Sequence, residues 1–270
     1  MKHLNNPMSK QKNIWGKHEG KPNQQIQFES GYCSLHLKYF TGGWSVSQQK
    51  TAEPAAETNY QIVADESDLP DAHLFQTGRS ANIFIQPALP PKSIVFKGNK
   101  KIVIRPHQTL RIYIATPIYI QLYYKQVDAD HFLAEYETER ITDTWFGEPD
   151  SGSPAFSVGS RFATNPEGLE IAKYEIIVPV NIQNNTTQLL DLQRLLIRVE
   201  LMNIYQVGDH LVSDLETIEF KGQGQVGNLH FSTDKAVHGN SPVLLSKARQ
   251  ASNRNILGHS FHFIKQMTQL

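Results

Sequence analysis

Apolar and polar residues alternate along most of the chain, and a two-residue period is typical of β-strands with one buried face. The segment 32–40, YCSLHLKYF, shows this alternation clearly. Successive side chains leave opposite faces of a strand. One face is therefore predicted to carry Cys33, Leu35, Leu37 and Tyr39. The other face is predicted to carry Ser34, His36 and Lys38.

The same alternation recurs at short intervals, with turn residues between the segments. Further strands are predicted at 82–86, 93–97, 101–105, 110–115, 117–124, 173–182, 194–205 and 217–222. Segments with a helical period of 3.6 residues are scarce. The sequence therefore predicts an all-β protein, an antiparallel β-sandwich of one or two packed sheet units, with an irregular or short helical C-terminal tail. An open barrel is the alternative architecture.

Two of these strands allow the buried face to be assigned residue by residue. In the segment 173–182 the inward residues are predicted to be Tyr174, Ile176, Val178, Val180 and Ile182. In the segment 194–205 they are predicted to be Leu195, Ile197, Val199 and Leu201. Arg198 and Glu200 alternate with this second set, so both are expected to face water.

Breaks in the pattern predict where strands stop. The polar tract 47–59 is predicted to be a loop, and Asn184-Asn185 is predicted to be a hairpin turn. Ser241 followed by Pro242 is the residue order of a capped helix start. The segment 147–154, GEPDSGSP, is the longest polar break in the middle of the chain.

We place a boundary between two sheet units at this central break. The resulting divisions are a polar tail at 1–24, an N-terminal sheet unit at 25–146, a C-terminal sheet unit at 147–235 and a C-terminal tail at 236–270.

Charge and composition narrow the class of protein. The chain holds 26 Lys and Arg against 26 Asp and Glu, so no overall field draws it to nucleic acid or anionic lipid. The longest uncharged stretch, 112–124, is shorter than the roughly 20 residues of a membrane-spanning helix. The first twenty residues lack the apolar stretch of a secretory signal, and we therefore expect a cytoplasmic protein.

Common catalytic and cofactor motifs find little support in the sequence. It contains no GxxxxGK[ST] or GxSxG pattern. The segment 222–227, GQGQVG, has the GxGxxG spacing, but its context is β-rich and no helix is predicted after it to offer its amino end to a phosphate. Nucleotide binding and serine hydrolysis are therefore disfavoured. The single cysteine, Cys33, lies on an apolar strand face and is predicted to be a buried structural thiol. The closest histidine pair, His259 and His262, would point to opposite faces of a strand and has few carboxylates nearby. We therefore expect neither a metal nor a cofactor.

Acidic residues cluster between 135 and 150. Glu135, Glu137 and Glu139 share one predicted strand face, and we interpret them as a solvated stripe. Three acids flank two aromatic residues in the second half of the cluster, at Asp143, Trp145, Phe146, Glu148 and Asp150.

This acidic aromatic group has two interpretations. In the structural one, Trp145 anchors the core, its indole N–H reaches an edge carbonyl, and Asp143 bonds local backbone at a corner. In the functional one, Asp143, Trp145, Glu148 and Asp150 bind a ligand or partner. Glu148 and Asp150 lie further along the turn and suit the functional interpretation best.

Several segments resemble a known family. These are 87–98 (PALPPKSIVFKG), 111–122 (RIYIATPIYIQL), 142–158 (TDTWFGEPDSGSPAFSV) and 176–205. Together they resemble an archaeal and bacterial family, the domain of unknown function 432. The matching positions include Trp145, Phe146, Gly147, Pro179, Val180 and Asn181, whereas Tyr119 stands where the family pattern has tryptophan. The resemblance covers most of residues 14–235 and implies no assigned activity. It suggests a link to small mechanosensitive membrane channels.

Two hypotheses of different classes follow. The first is a non-enzymatic β-sandwich that binds an unknown protein or small molecule, associated peripherally with a membrane-channel system. The absence of catalytic motifs supports it. The alternative is a carbohydrate- or ester-directed hydrolase that uses Asp143, Glu148 or Asp150, because paired carboxylates beside aromatic residues suit glycoside chemistry.

Overall fold

The computed structural model describes residues 14–65, 67–78, 80–126, 129–150, 152–222 and 228–250. The fold is an all-β sandwich, which confirms the predicted fold class. In chain order the strands are β1 (Gly16–Glu19), β2 (Gln24–Phe40), β3 (Gly43–Ala64), β4 (His73–Gln76), β5 (Asn82–Ala88), β6 (Ile94–Ile104), β7 (Thr109–Pro117), β8 (Tyr119–Gln126), β9 (Ala129–Glu137), β10 (Thr142–Phe146), β11 (Ser153–Ser157), β12 (Phe162–Ala163), β13 (Glu175–Asn184), β14 (Leu190–Ile197), β15 (Ile204–Val207), β16 (His210–Ser213), β17 (Leu215–Phe220), β18 (Leu229–Ser232) and β19 (Val243–Ser246). One short helix, α1 (Lys235–His238), and two 3-10 turns, Pro166–Gly168 and Val199–Leu201, complete the described elements.

The strands form four sheets. Sheet I is the long β2–β3 hairpin with β4 at its edge, and sheet II has the order β1-β5-β8-β9. Sheet III has the order β10-β11-β6-β14. Sheet IV has the order β12-β7-β13-β16-β15-β19, and β17 pairs with both β13 and β18 beside this path. Most pairings are antiparallel, while β6–β11, β13–β16 and β13–β17 are parallel.

The strand β13 lies at the centre of sheet IV and is buried on both faces. Four of the five residues predicted to point inward, Ile176, Val178, Val180 and Ile182, are fully buried in the main core. The fifth, Tyr174, precedes β13 and is only half-buried. On the opposite face Ile177 joins a second, smaller cluster with Tyr113, Ala115, Leu169 and Val212. A strand covered on both sides reads as a continuous apolar run rather than as an alternation. The strand β13 therefore contributes side chains both to the main core and to the smaller cluster.

The single thiol is buried as predicted. Cys33 is 1% exposed and lies in the main core with Leu35 and Leu37. Burial raises the pKa of the Cys33 thiol to about 12. A thiol with so high a pKa forms almost no thiolate at neutral pH, so we expect Cys33 to be unreactive in the folded protein.

The loop predicted at 47–59 is wrong, because β3 continues through it to Ala64. The pairing with β2 is irregular there: Gly31 faces Ala55 and Cys33 faces Lys50, so four residues of β3 oppose a single residue of β2. Pro54 falls inside this irregular stretch, where the missing amide proton breaks no ladder hydrogen bond. Gly31 has a φ of +57°, and a Cβ there would lie 2.7 Å from the carbonyl oxygen of Thr138.

The hairpin predicted at Asn184-Asn185 is also wrong. The strands before and after it, β13 and β14, belong to sheets IV and III and do not pair with each other. Asn184 is fully buried, and its amide group donates to the carbonyl oxygens of Ile104, Arg105 and Gln188. Asn184 therefore holds the chain where it passes from sheet IV to sheet III. In the sequence, an asparagine at such a crossing looks like a turn residue.

Both ends of the described chain are more ordered than expected. The strand β1 pairs with β5 and Trp15 is buried, so the predicted polar tail of 1–24 is shorter than expected. The helix predicted after Ser241-Pro242 is wrong, because Val243–Ser246 forms β19 and pairs with β15. The capped helix is α1 instead, where the Asp234 side chain accepts a hydrogen bond from the amide of Ala236.

The polar break at 147–154 joins β10 to β11, two paired strands of sheet III. Sheet III also pairs β6 with β14, and sheet IV pairs β7 with β13. Both pairings link residues from either side of residue 146. The division into units 25–146 and 147–235 stays a prediction.

The predicted exposure of Arg198 and Glu200 is wrong. The alternation of β14 ends at Ile197, and Val199–Leu201 forms a 3-10 turn. This turn places the Glu200 side chain inside the protein, where the residue is 5% exposed. Only about a sixth of the Arg198 side chain is exposed, at 16%.

Candidate functional site

The exposed hairpin, which we define as residues 142–154, carries all four residues singled out from the sequence. Its first strand, β10, is the terminal strand of sheet III. Asp143, Glu148 and Asp150 are all exposed. Trp145 is 44% exposed, so the prediction that it anchors the core is wrong. The neighbouring Phe146 is 5% exposed and packs in a small cluster with Val95, Ala155 and Leu196.

Trp145 is fixed although it is exposed. Its indole N–H donates to the carbonyl oxygen of Glu148 at 2.9 Å, as predicted for an edge carbonyl. The Arg194 guanidinium donates to the carbonyl oxygen of Trp145 at 2.8 Å and lies over the Phe146 ring. A Cβ on Gly152 would lie 2.3 Å from the indole nitrogen, so this glycine makes room for the ring. The indole is thus held in one place with much of its surface in water.

The hairpin carries three exposed acidic residues, Asp143, Glu148 and Asp150, which we call the acidic rim. Asp143 makes an ion pair with Lys92 at 2.7 Å, and the Lys92 ammonium lies over the Phe156 ring. This ion pair replaces the local backbone bond that the sequence predicted for Asp143. Gly147 has a φ of +105°, a conformation that favours glycine and lets the chain turn after Phe146.

The glutamates at 135, 137 and 139 do not form the solvated stripe that their alternation predicted. Glu135 makes an ion pair with Arg249 at 2.6 Å and accepts a hydrogen bond from the Gln121 amide. Glu137 makes an ion pair with Lys50 at 3.1 Å. These acids therefore tie β9 to the C-terminal segment and to sheet I.

A second acidic pair was missed by the sequence analysis. Glu216, on β17, is fully buried, and Glu200 is nearly so. Glu200 Oε1 accepts from Ser93 Oγ at 2.8 Å and from the Arg198 guanidinium at 3.3 Å. Glu216 Oε1 accepts from the backbone amide of Arg198 at 3.5 Å. The second carboxyl oxygen of each residue is buried without a hydrogen-bond partner among the described residues.

Burial changes the protonation equilibrium of the Glu216 carboxyl group. Burial, with a smaller contribution from the nearby Glu200, raises the pKa of this carboxyl group to about 8 against the opposing effect of Arg198. A signal for this pair was present in the sequence. In the segment 215–220, LETIEF, Glu216 shares its strand face with Ile218 and Phe220 and so stands at an apolar position.

A cleft of about 270 Å³ lies between the start of the described chain, β3 and the β15–β16 turn. Its apolar wall includes Trp15 and Leu211, and its polar residues include Glu57, Lys173 and His210. This volume is close to the lower limit of small-molecule pockets. None of the residues 143–150 lines it.

No group of three or more His, Cys, Asp or Glu side chains among the described residues is placed to hold a metal ion. The pair His259 and His262 lies outside the described residues. None of the described helices has the length and apolar character needed to cross a bilayer.

Comparison with protein-family models gives one match, to the family described as protein of unknown function (DUF432), over residues 14–265. The chain belongs to this family. Within this DUF432 chain the motif Thr144-Trp145-Phe146-Gly147, on which the resemblance rests, forms the end of β10 and the start of the turn. Neither a curated protein nor a solved structure matches the chain.

Proposed function

We propose that this DUF432 protein is a non-enzymatic binding module whose exposed hairpin contacts a partner protein through Asp143, Trp145, Glu148 and Asp150. The observation that carries the proposal is the state of Trp145, which is 44% exposed yet held by hydrogen bonds at its ring and at its backbone. Tryptophan is enriched among the residues that dominate binding energy at protein interfaces. A ring that is already immobile loses little conformational entropy when a partner covers it.

The surroundings of Trp145 indicate the chemistry of the partner. The exposed acids Asp143, Glu148 and Asp150 flank Trp145 along the hairpin, which favours a basic partner surface. Because β10 is the last strand of sheet III among the described residues, one of its edges has no strand partner there and can pair with an extended segment, as in strand-addition complexes. An extended basic segment therefore fits the hairpin best.

The hydrolase alternative requires two carboxylates that face one pocket. The cleft described above is lined by none of Asp143, Glu148 and Asp150, so it gives this alternative no support. Binding is accordingly the function we propose. The family resemblance adds the prediction that the partner belongs to a membrane-channel system, contacted peripherally from the cytoplasm.

The test compares three tagged baits in an extract of the source organism. They are the wild type, Trp145→Ala and Leu74→Ala, and Leu74 is a matched control because it is 73% exposed on β4 in sheet I. The protein recovered by the wild type is identified, purified and titrated against each bait. We expect Trp145→Ala to lose it and Leu74→Ala to retain it. Equal binding by Trp145→Ala and the wild type would contradict the proposal.

The acidic rim is tested on the same purified partner. The combined variant Asp143→Ala, Glu148→Ala and Asp150→Ala should bind more weakly, and the difference from the wild type should shrink as salt is added. If the difference is the same at low and high salt, the rim does not act through its charge.

A further inference from the structure

Three elements meet at the buried acidic pair. Ser93 precedes β6, Glu200 lies in the 3-10 turn after β14, and Glu216 lies on β17. All three side chains are buried, and the Glu200 carboxylate bridges the first two elements by accepting from Ser93 Oγ. Glu216 contacts the same turn through the Arg198 amide. The pair therefore sits at a junction between sheets III and IV.

The charges at this junction do not balance when both acids are ionised. The charged groups that act on Glu216 are Glu200 and Arg198. Its strand neighbours, Val180 on β13 and Phe231 on β18, are apolar. One guanidinium thus faces two carboxylates, and each carboxylate has one buried oxygen without a described partner. An unpaired buried charge is costly, and neighbouring carboxyl groups relieve the cost by retaining a proton.

We propose that Glu200 and Glu216 form a proton-controlled joint between the 3-10 turn and β17. With one proton on the pair, a single carboxylate remains beside Arg198 and the joint is closed. When that proton is lost, two carboxylates repel each other in the core and the joint loosens. The proton is placed on Glu216, the more deeply buried of the two acids.

The 3-10 turn of this joint also contacts the C-terminal end of the described chain. The backbone carbonyl oxygen of Glu200 accepts a hydrogen bond from the amide of Gln250 at 3.1 Å. Other contacts hold the neighbouring residues elsewhere. Ser246 Oγ donates to the carbonyl oxygen of Pro87, and Arg249 donates to that of Leu89 and makes an ion pair with Glu135. The Ala248 amide donates to Asn203 Oδ1. Loosening of the 3-10 turn should therefore release Gln250 first.

The sign of the pH effect follows from proton binding. An unfolded glutamate has a pKa near 4.5, and the folded value for Glu216 is about 8. Between these values the folded state binds more protons than the unfolded state, so stability falls as pH rises. For this group alone the unfolding constant should increase about tenfold per pH unit from about pH 5 to about pH 8. Above that range the contribution is constant.

The experiment measures urea unfolding of the full chain from pH 5 to pH 9 in wild type, Glu216→Gln and Glu53→Gln. Glu53 is a control because it is exposed on β3. The ratio of the Glu216→Gln to the wild-type unfolding constant should fall about tenfold per pH unit across the window. Glu53→Gln should follow the wild type. A Glu216→Gln curve parallel to that of the wild type would overturn the proposal.

Two further measurements keep the proposal testable if Glu216→Gln does not fold. The wild type should show the infrared carbonyl band of a protonated buried carboxyl group at pH 6, and the band should disappear by pH 9. Amide hydrogen exchange at Gln250, corrected for its intrinsic pH dependence, should accelerate over the same range. Absence of the band at pH 6 would overturn the proposal without any variant.

Discussion

The exposed hairpin and the Glu200–Glu216 pair place acidic side chains in opposite surroundings. In the hairpin the acids lie close together in sequence and are exposed, and Asp143 makes an ion pair with the surface residue Lys92. In the buried pair the acids lie sixteen residues apart in sequence, yet they share Arg198 inside the core. Crowding of acids along a sequence is therefore a poor guide to unusual acid chemistry. An acid at an apolar position of a strand is the better guide.

The largest effect should come from the arginine of the buried pair. Arg198→Met removes the guanidinium beside Glu200 and leaves a buried carboxylate uncompensated, which costs about 3–5 kcal/mol. Arg194→Met is the matched change at the hairpin and should cost about 0.5–1.5 kcal/mol, the value of one hydrogen bond. Urea denaturation at neutral pH measures both variants. Equal losses would remove the contrast between the two regions.

Phe146→Ala should be the most damaging change within the hairpin. The Phe146 ring fills a small cluster with Val95, Ala155 and Leu196, and a truncated core Phe costs about 3–5 kcal/mol. We expect the low end of this range because the cluster is small and close to the surface. Thermal and urea unfolding should agree. A loss below about 1 kcal/mol would show that the cluster collapses around the change.

Trp145→Ala should cost much less than Phe146→Ala, although the side chains are adjacent and tryptophan is larger. The change removes one hydrogen bond to Glu148 and exposes little core, so the expected loss is about 0.5–1.5 kcal/mol. The same melts measure it. If Trp145→Ala is as destabilising as Phe146→Ala, the indole is structural and the proposed interface loses its main support.

Asp143→Ala should have the smallest effect. The ion pair with Lys92 is exposed, and exposed pairs contribute about 0–1 kcal/mol. The difference from the wild type should vanish at high salt, because screening weakens charges that water surrounds. Melts at low and high salt test this, with Lys92→Ala as the reciprocal change. A loss that salt does not reduce would contradict a purely electrostatic contact.

The alternation of apolar and polar residues predicted much of the fold, because a strand with one buried face produces this alternation without reference to the rest of the chain. Cys33, Leu35 and Leu37 lie inside as expected, and so do the inward residues of β13. The prediction failed where long-range contacts override local preference. Pro54 is accommodated by an irregular pairing with β2, and Asn184 joins two sheets that the sequence does not reveal as separate.

The candidate site was predicted in part for a similar reason. The hairpin turn, its glycine and the indole hydrogen bond follow from local chemistry, and all are present. The exposure of Trp145 depends instead on β10 ending its sheet, which is a property of topology. Glu200 was misplaced because a 3-10 turn breaks the period of β14 one residue before it.

The long strand β3 has an edge at which a second molecule of the protein could pair. β4 covers only Gly43–Val46, so the rest of β3 has β2 as its only strand partner among the described residues. Free strand edges can recruit the same edge of another molecule and start aggregation. Pro54 offers no amide to such a neighbour, and the charged Lys50, Glu53 and Glu57 would have to be desolvated beside it. The proline and the charged residues make this strand look like a loop in the sequence. The same residues protect its edge against self-association.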